Sequence, residues 1–593
     1  MAEASSAACR RAYRVPVGSL PPPDVFSGLS VSRFAATWQE AGQSRLAPGF
    51  ENHHAARADC ALAAIMAACA ERGEFSEMAD VNATTDADTT VEVLIIGCGF
   101  GGICTGIKLK QAGVDDFVML EKDDDIGGTW YANTYPGCAC DVQSHLYSFS
   151  FEPNPDWSHM FARQTEIWKY QRHCVDKYRL KRHIRLSSGV ERAVWDGTRC
   201  EWRVETSAGI VYRARIVVAA MGPLSRPALP DINGFDRFLG KTFHSARWDH
   251  GYDLSNKRVA VIGTGASAIQ FVPEIAPEVS RLSLFQRTAP WVVPRPDRRI
   301  SGFERRMFRK FPLTQRIYRT LLYWRLESRA ILFTRLPSLG RVVEWLGLYH
   351  LRRSVTDTGL RRKLRPNFPA GCKRLLLSDD YYPALTRANV ELVTCGISEI
   401  TEDAVVCEDG RRIEVDAIIY GTGFKATAPV PAGMIIGRDG LDITDRWRDG
   451  AEAFMGLSVS GFPNLFLLMG PNTGLGHNSV IFMIESQVHY LIEALKAMRG
   501  LGADALEIRR DVELAFNSKI QQRLSHTVWA SGCKSWYLDA NGRNTTLWPG
   551  FTVSYWATTR RFDPDNYVAS NAPAWPGPGT IRGQETGSAR KAA

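Results

Sequence analysis

The chain has 593 residues, 45% of them hydrophobic, which is enough apolar material for several buried cores. Thirteen cysteines at scattered spacings, with no C-x-x-C pair and no His/Cys ligand pattern, argue against a disulfide scaffold or metal site and for a reduced, cytoplasmic protein. The net charge of +9 is local, because residues 301–365 alone hold sixteen Lys/Arg and four Asp/Glu, and no recognisable nucleic-acid module accompanies them.

The N-terminus MAEASSAACRRAYRV has no apolar core of a secretory signal, and the apolar run ALAAIMAACA (61–70) is too short to span a bilayer. Residues 1–89 read as an extension and linker. Order is expected from VEVLIIGCGFGG (91–102), a buried strand running into a glycine turn. Gly97, Gly99 and Gly102 form G-x-G-x-x-G, whose glycines allow a tight turn and bring backbone N–H groups to a pyrophosphate at a helix N-terminus. Glu121 ends the next strand, FVMLEK, where an acid accepts ribose hydroxyls. A strand pair, EWRVETSAGIVYRARIVVAAMG (201–222), then returns to the same sheet.

The pattern occurs a second time. RVAVIGTGASAIQ (258–270) carries Gly263, Thr264, Gly265 and Ala268, and VVCEDGRRIEVDAIIYGTGF (405–424) is its returning meander, with Asp409-Gly410 as the hairpin turn. The strand after this second turn, RLSLFQRT, ends in Arg287 and Thr288 where the first unit has an acid. Arg and Thr bind a 2′-phosphate that an acid would repel, so NADPH is expected here and FAD at the first site. Between the second turn and its return lies the basic insert, about 300–367. Its apolar residues Leu313, Ile317, Leu321 and Trp324 recur at helical spacing, and Pro312 and Pro337 punctuate it. The plainer reading is an amphipathic helical subdomain packed on the nucleotide domain; the sharper one is a surface that touches anionic lipid or gates an apolar substrate.

The fold class expected is α/β, with two nested dinucleotide-binding (Rossmann-like) domains, inserted antiparallel meanders and a helical insert in the NADPH domain. The expected boundaries are 1–89 extension, 90–225 FAD-binding (first part), 226–424 NADPH-binding, 425–560 FAD-binding (second part) with a substrate and cofactor loop, and 561–593 tail.

Flavin plus NADPH implies hydride transfer and leaves disulfide reduction, electron relay or oxygen activation. Cys138 and Cys140 are too close in sequence for an unstrained redox pair and read as packed thiols, and no iron–sulfur cysteine run is present. Oxygen activation remains.

Here the sequence resembles a family. GGTWYANTYPGCACD (127–141) is similar to the long fingerprint of type I Baeyer–Villiger monooxygenases: a Gly-x-Trp, an aromatic-Pro-Gly, and an Asp four positions later. FLGKTFHSARW (238–248) resembles their second fingerprint through Phe238, Gly240, His244 and Trp248. GCKRLLLSDDYY (371–382) resembles their catalytic Lys-Arg segment, GFPNLFLLMGP (461–471) the strand returning to the flavin, and SWY (535–537) a late active-site loop. The resemblance spans roughly residues 91–560.

It implies an NADPH- and O₂-dependent conversion of ketones to esters or lactones through a flavin peroxide. A peroxide kept anionic for attack on a carbonyl needs a fixed cation in a dry site, and Arg374 suits that because guanidinium stays charged when desolvated. By resemblance Arg374 also stabilises the tetrahedral adduct and Asp141 orients it. Gly128, Thr129, Trp130 and Asp141 belong to the flavin site, Lys373 joins Arg287 and Thr288 on the 2′-phosphate, and Trp536 closes over bound NADP. His244 and Trp248 are expected on the crossing between the two domains, coupling their movement. His477, in GPNTGLGHNS (470–479), is expected near substrate but as a hydrogen-bonded structural histidine, and Tyr381 and Tyr382 as core. No metal and no transmembrane segment is expected. Two rivals stay open: an N- or S-oxygenating flavin monooxygenase, and a non-catalytic flavoprotein that docks a membrane or partner through the basic insert.

Overall fold

The structure is a computed structural model that describes residues 89–572 except 335–339, 429 and 534. The expected N-terminal extension up to residue 88, Pro337 and the tail beyond 572 lie outside the described residues.

Strand β1 (Thr89–Ile96) is buried throughout its last four residues, as a central parallel strand requires. It turns at Gly97 into helix α1 (Phe100–Gln111) and is followed by β2 (Phe117–Leu120), α2 (Thr129–Ala132), α3 (Gln164–Lys177) and β3 (Ile184–Arg185). Strands β4 (Val190–Asp196), β5 (Glu201–Thr206) and β6 (Val211–Ala219) form an antiparallel meander, and β6 returns parallel to β1 with Ile96 beside Ala219.

The next strands build a separate sheet. They are β7 (Lys241–His244), β8 (Arg258–Ile262) leading to helix α4 (Ala268–Ile275), and β9 (Arg281–Phe285). Then come β10 (Val292–Val293) and the helices of the insert: α5 (Gly302–Lys310), α6 (Pro312–Glu327), α7 (Ala330–Thr334), α8 (Gly340–Ser354) and α9 (Thr358–Lys363). The chain continues through β11 (Leu376–Leu377), α10 (Tyr381–Leu385), β12 (Val390–Val393), the antiparallel β13 (Ile397–Ile400), β14 (Ala404–Cys407) and β15 (Arg412–Glu414), and β16 (Ala417–Tyr420). The order of this sheet is β12-β9-β8-β16-β7, all parallel.

Strands β17 (Ile435–Ile436) and β18 (Leu465–Leu467) rejoin the first sheet, whose order is β17-β4-β5-β6-β1-β2-β3 with β18 also on β6. Helix α11 (Val480–Leu501) packs on α1, and α12 (Thr552–Thr559) follows. One apolar cluster runs from Val93 and Ile95 of β1 to Val259 and Val261 of β8, so the two sheets share a core. Tyr381 and Tyr382 are buried in it, as expected.

Three expectations change. FLGKTFHSARW is not all linker, because Lys241–His244 pairs with β16 as the edge strand of the second sheet, with His244 beside Tyr420. Only Phe243 of these four residues is apolar, so no strand pattern stands out in the sequence, and an edge strand needs only one partner.

The insert is helical and packed on the protein, but not through the apolar stripe that its periodicity picks out. Ser301 and Glu304 form a capping box that starts α5, and Pro312 starts α6 at a position where a missing N–H costs nothing. Helix α6, however, buries Gln315, Leu322 and Leu326, while Leu313, Ile317, Leu321 and Trp324 are exposed on the opposite side. Helical periodicity identifies an apolar stripe but not what it meets.

Nor are all thiols solitary. Cys372 pairs with Cys533 and Cys395 with Cys407, with Cα atoms 6.4 and 6.0 Å apart. The first pair spans 161 residues, a juxtaposition no local spacing could reveal.

Candidate active site

At the first glycine turn, Gly97 takes φ +101° and a Cβ there would stand 2.9 Å from the Ala220 carbonyl oxygen. A side chain on Gly102 would collide with the Gly97 carbonyl. Helix α1 has no side-chain cap at Gly99, which leaves its first N–H groups free for an anion. The backbone of Gly128, at φ +54°, closes against Gly99, where an added Cβ would meet the Gly99 Cα at 3.1 Å. Glu121, buried at the end of β2, accepts from the N–H groups of Cys98 and Asp123 at 2.8 and 3.2 Å. Burial raises its pKa above the ordinary carboxylate value. A carboxylate oxygen takes more than one hydrogen bond, so both remain acceptors for ribose hydroxyls. This cradle of glycines and a terminal acid fits the adenosine diphosphate part of FAD.

The second turn repeats the geometry. Gly263 takes φ +110°, and a Cβ there would run into the Gly421 carbonyl oxygen, as one on Gly97 would into that of Ala220. The Thr264 hydroxyl donates to the Thr288 carbonyl at 3.4 Å, and Ala268 opens α4 fully buried. Gly265 completes the turn, and a Cβ added there would meet only the Gly421 carbonyl oxygen, at 3.9 Å. Arg287 and Thr288 line a polar cavity with Lys363, Arg365, Asn367 and Thr394. Lys373 stands 4.7 Å over the Phe368 ring, and burial together with the nearby Arg287 charge lowers its pKa. The cavity fits the 2′-phosphate of NADPH. Lys363, Arg365 and Asn367 were not singled out from sequence; the first two sit in the run RRKLR, which looked like one more part of the basic insert, and Asn367 just beyond it carried no signal.

The segment 127–141 links the two units. Trp130 is buried and donates from Nε1 to the Tyr147 hydroxyl at 3.1 Å, while Thr129 stays exposed. Tyr135 packs edge-on to Phe271 of α4 and donates to Gln270 Oε1 at 3.1 Å. Gln270 also bonds both the N–H and the carbonyl of Ala139. Gly137, at φ +76°, approaches so closely that a Cβ would stand 2.7 Å from the Gln270 carbonyl oxygen. Gln270 is thus the anchor of this loop, and sequence reading gave it no role.

The loop ends at Asp141, whose Oδ2 accepts from Arg374 Nε at 2.9 Å and Nη2 at 2.6 Å. The two side chains are about one-third exposed. Arg374 precedes β11, which is held by its pairing with β10 and by the Leu376 N–H bonded to the Trp291 carbonyl. Asp141 raises the Arg374 pKa, so the guanidinium remains a cation. Two neighbours had no role assigned from sequence, Arg295 and, within the SWY loop, Tyr537. Arg295 donates to the Cys140 carbonyl at 3.3 Å, its pKa lowered by burial. Tyr537 is fully buried, its phenol pushed up to about 12 by burial, with Arg374 pulling the other way.

The remaining site residues fall outside this cluster. Trp536 is 42% exposed with its ring 4.5 Å from that of Tyr537, and it does not line the Arg287 cavity. Phe238 packs on the core of the second sheet, and a Cβ on Gly240 would stand 2.6 Å from the Asp416 carbonyl oxygen. His244 Nδ1 accepts from the Ala246 N–H at 3.1 Å, and burial lowers its pKa. Trp248 packs on Phe243 and Phe271. His477 is buried 3.5 Å from Glu327 of α6, whose carboxylate also accepts from Asn478 and Thr552. Cys138 and Cys140 are free and buried, with the Cys138 thiol pushed up to about 12, which suits packed thiols and not a redox pair.

The family model described as pyridine nucleotide-disulphide oxidoreductase matches residues 94–317. The chain is 52% identical over 484 residues to a Baeyer-Villiger monooxygenase of Pseudomonas aeruginosa, covering 81% of this chain and 92% of that protein. The closed crystal structure of cyclohexanone monooxygenase superposes with a TM-score of 0.75 at 29% identity, over 82% of this chain and 100% of that one. A structure of OTEMO in complex with FAD and NADP does so with a TM-score of 0.74 at 26% identity, over the same shares.

Proposed function

Since the chain belongs to the Baeyer–Villiger monooxygenase family, we propose that Arg374, held by Asp141, is the fixed cation of a ketone-oxygenating site. The protein is an FAD-dependent monooxygenase that uses NADPH, and the single observation carrying the assignment of its residues is the forked Arg374–Asp141 pair. FAD, when bound and reduced, supplies the chemistry that activates O₂. The glycine turns, Glu121 and Gly128 hold it at the ends of β1 and β2, and Arg287, Thr288, Lys363 and Lys373 hold the NADPH 2′-phosphate.

The ketone oxygen gains negative charge as its carbonyl is attacked, and a cation already in place lowers the barrier without reorganisation. Asp141 fixes the guanidinium plane and keeps it protonated, while Nη1 takes no part in the pair and is left for a ligand. The product is an ester or lactone, with one oxygen atom from O₂ retained.

The test is NADPH consumption by the FAD-loaded enzyme with linear, cyclic, aromatic and steroidal ketones, beside a thioether, with products identified. Ketone-stimulated consumption and an ester or lactone support the reading. Oxygenation of the thioether alone would replace it with heteroatom oxygenation.

A further inference from the structure

The exposed stripe of α6 is unusual for a helix of a folded enzyme. Leu313, Ile317, Leu321 and Trp324 are each more than half exposed, and they recur every three or four residues along one side. The opposite side, through Gln315 and Leu322, is what holds the helix to the protein. Helix α8 repeats the arrangement, with Val342, Trp345 and Tyr349 more than half exposed and Gly347, His350 and Leu351 buried. Burying such side chains would gain free energy, so leaving two stripes open calls for an external partner.

Charge selects the partner. The four acids of segment 301–365 are all engaged inside the protein. Glu304 caps α5 and bonds Arg298, Glu327 is buried, Glu344 accepts from the Ala370 N–H, and Asp357 caps α9. Arg309 pairs with Asp156, Arg319 turns inward to the His145 carbonyl, and Lys363 and Arg365 line the 2′-phosphate cavity, so the outward charge beside the stripe comes from other arginines. Arg316 and Arg325, on either flank of the α6 stripe, are exposed and make no ion pair with any described residue. A second copy of this surface would bring its own positive field against the first, which opposes self-association. Nucleic acid would answer the charge but has no use for a Leu/Ile/Val stripe.

We propose that the insert is a peripheral docking surface for an anionic lipid bilayer, with the α6 and α8 stripes entering the acyl boundary and the flanking arginines meeting the headgroups. Trp324 and Trp345 suit the interfacial zone, and long arginine side chains reach headgroups while their stems stay apolar. Among the described residues no helix is long and apolar enough to cross a membrane, so the contact is in-plane. The reverse side of α6 carries Glu327, which holds Asn478 of the loop after β18, so a docked helix lies one side-chain layer from that loop. The proposal does not depend on the oxygenation chemistry.

The experiment is co-sedimentation of the FAD-loaded full chain with vesicles of phosphatidylcholine, with and without 30 mol% phosphatidylglycerol. Binding is expected to the anionic vesicles and to fall steeply with salt. Ile317→Ser with Trp324→Ser should weaken it at least tenfold, and Arg316→Gln with Arg325→Gln should weaken it and flatten the salt dependence. Unchanged NADPH oxidation with a water-soluble ketone in both variants shows that they fold. The proposal is overturned by absence of binding to anionic vesicles, by binding that survives the stripe substitutions, or by light scattering that shows the stripe mediating a dimer.

Discussion

One carboxylate oxygen of Asp141 accepts two hydrogens of Arg374 across a separation of 233 residues. The guanidinium is therefore oriented by a loop that is itself docked on helix α4 through Gln270, and the charge at the site is tied to the packing of both nucleotide units. A carboxylate shared in this way gives direction as well as charge.

Replacing the guanidinium should separate the two halves of the reaction. Arg374→Ala is expected to lower ester formation at least about 100-fold, the scale on which loss of one charge-stabilising donor acts. Flavin reduction by NADPH in stopped flow should stay within a few-fold of the unaltered enzyme. Arg374→Lys should recover little, because a point charge cannot form the fork. Ester formation at the original rate in Arg374→Ala would remove this residue from the chemistry.

Asp141→Ala should orphan the cation. The pair is about one-third exposed, so solvent screens part of the loss, and a destabilisation of about 1–2 kcal/mol is expected in chemical unfolding. Asp141→Asn keeps an acceptor without its charge and should fall between the two in both stability and ester formation. Equal stability of all three proteins would mean that the pair is not held in solution.

NADPH recognition should weaken on the alkaline side. Burial and Arg287 lower the Lys373 pKa, so without ligand this lysine loses its charge at a lower pH than a free lysine would. The KM for NADPH is expected to rise as pH climbs through that range, while the KM for NADH stays flat. Lys363→Ala should raise the KM for NADPH about tenfold and leave NADH unchanged. A parallel change for both coenzymes would place Lys363 away from the 2′-phosphate.

The second fingerprint is expected to divide into packing and coupling. Gly240→Ala drives a Cβ into the Asp416 carbonyl and should cost about 1–3 kcal/mol, read by thermal unfolding. His244→Ala removes an acceptor at the end of the edge strand and should raise NADPH oxidation that yields no ester, while FAD stays bound. Normal coupling in His244→Ala would leave the histidine with a structural role only.

Local chemistry made much of this protein legible. A glycine turn needs glycine because its backbone is left-handed or touches another backbone, as Gly97 and Gly263 do, and that constraint is written at consecutive positions. The acid of Glu121 and the Arg287-Thr288 pair stand at strand ends set by the same short spacing. The fork from Arg374 to Asp141 was legible only through family resemblance, since nothing near either residue names the other.

What the amino-acid order determined by itself was the sequence of units, their turns and the side chains able to bind nucleotides, because these depend on neighbours a few residues apart. The tertiary structure alone decided which surface each element meets. It put Lys363 and Arg365 beside Arg287, Gln270 against Ala139, Cys372 against Cys533, and the apolar stripe of α6 outward. Periodicity gives a helix two unlike faces, but only the packing of the whole chain selects the one that is buried.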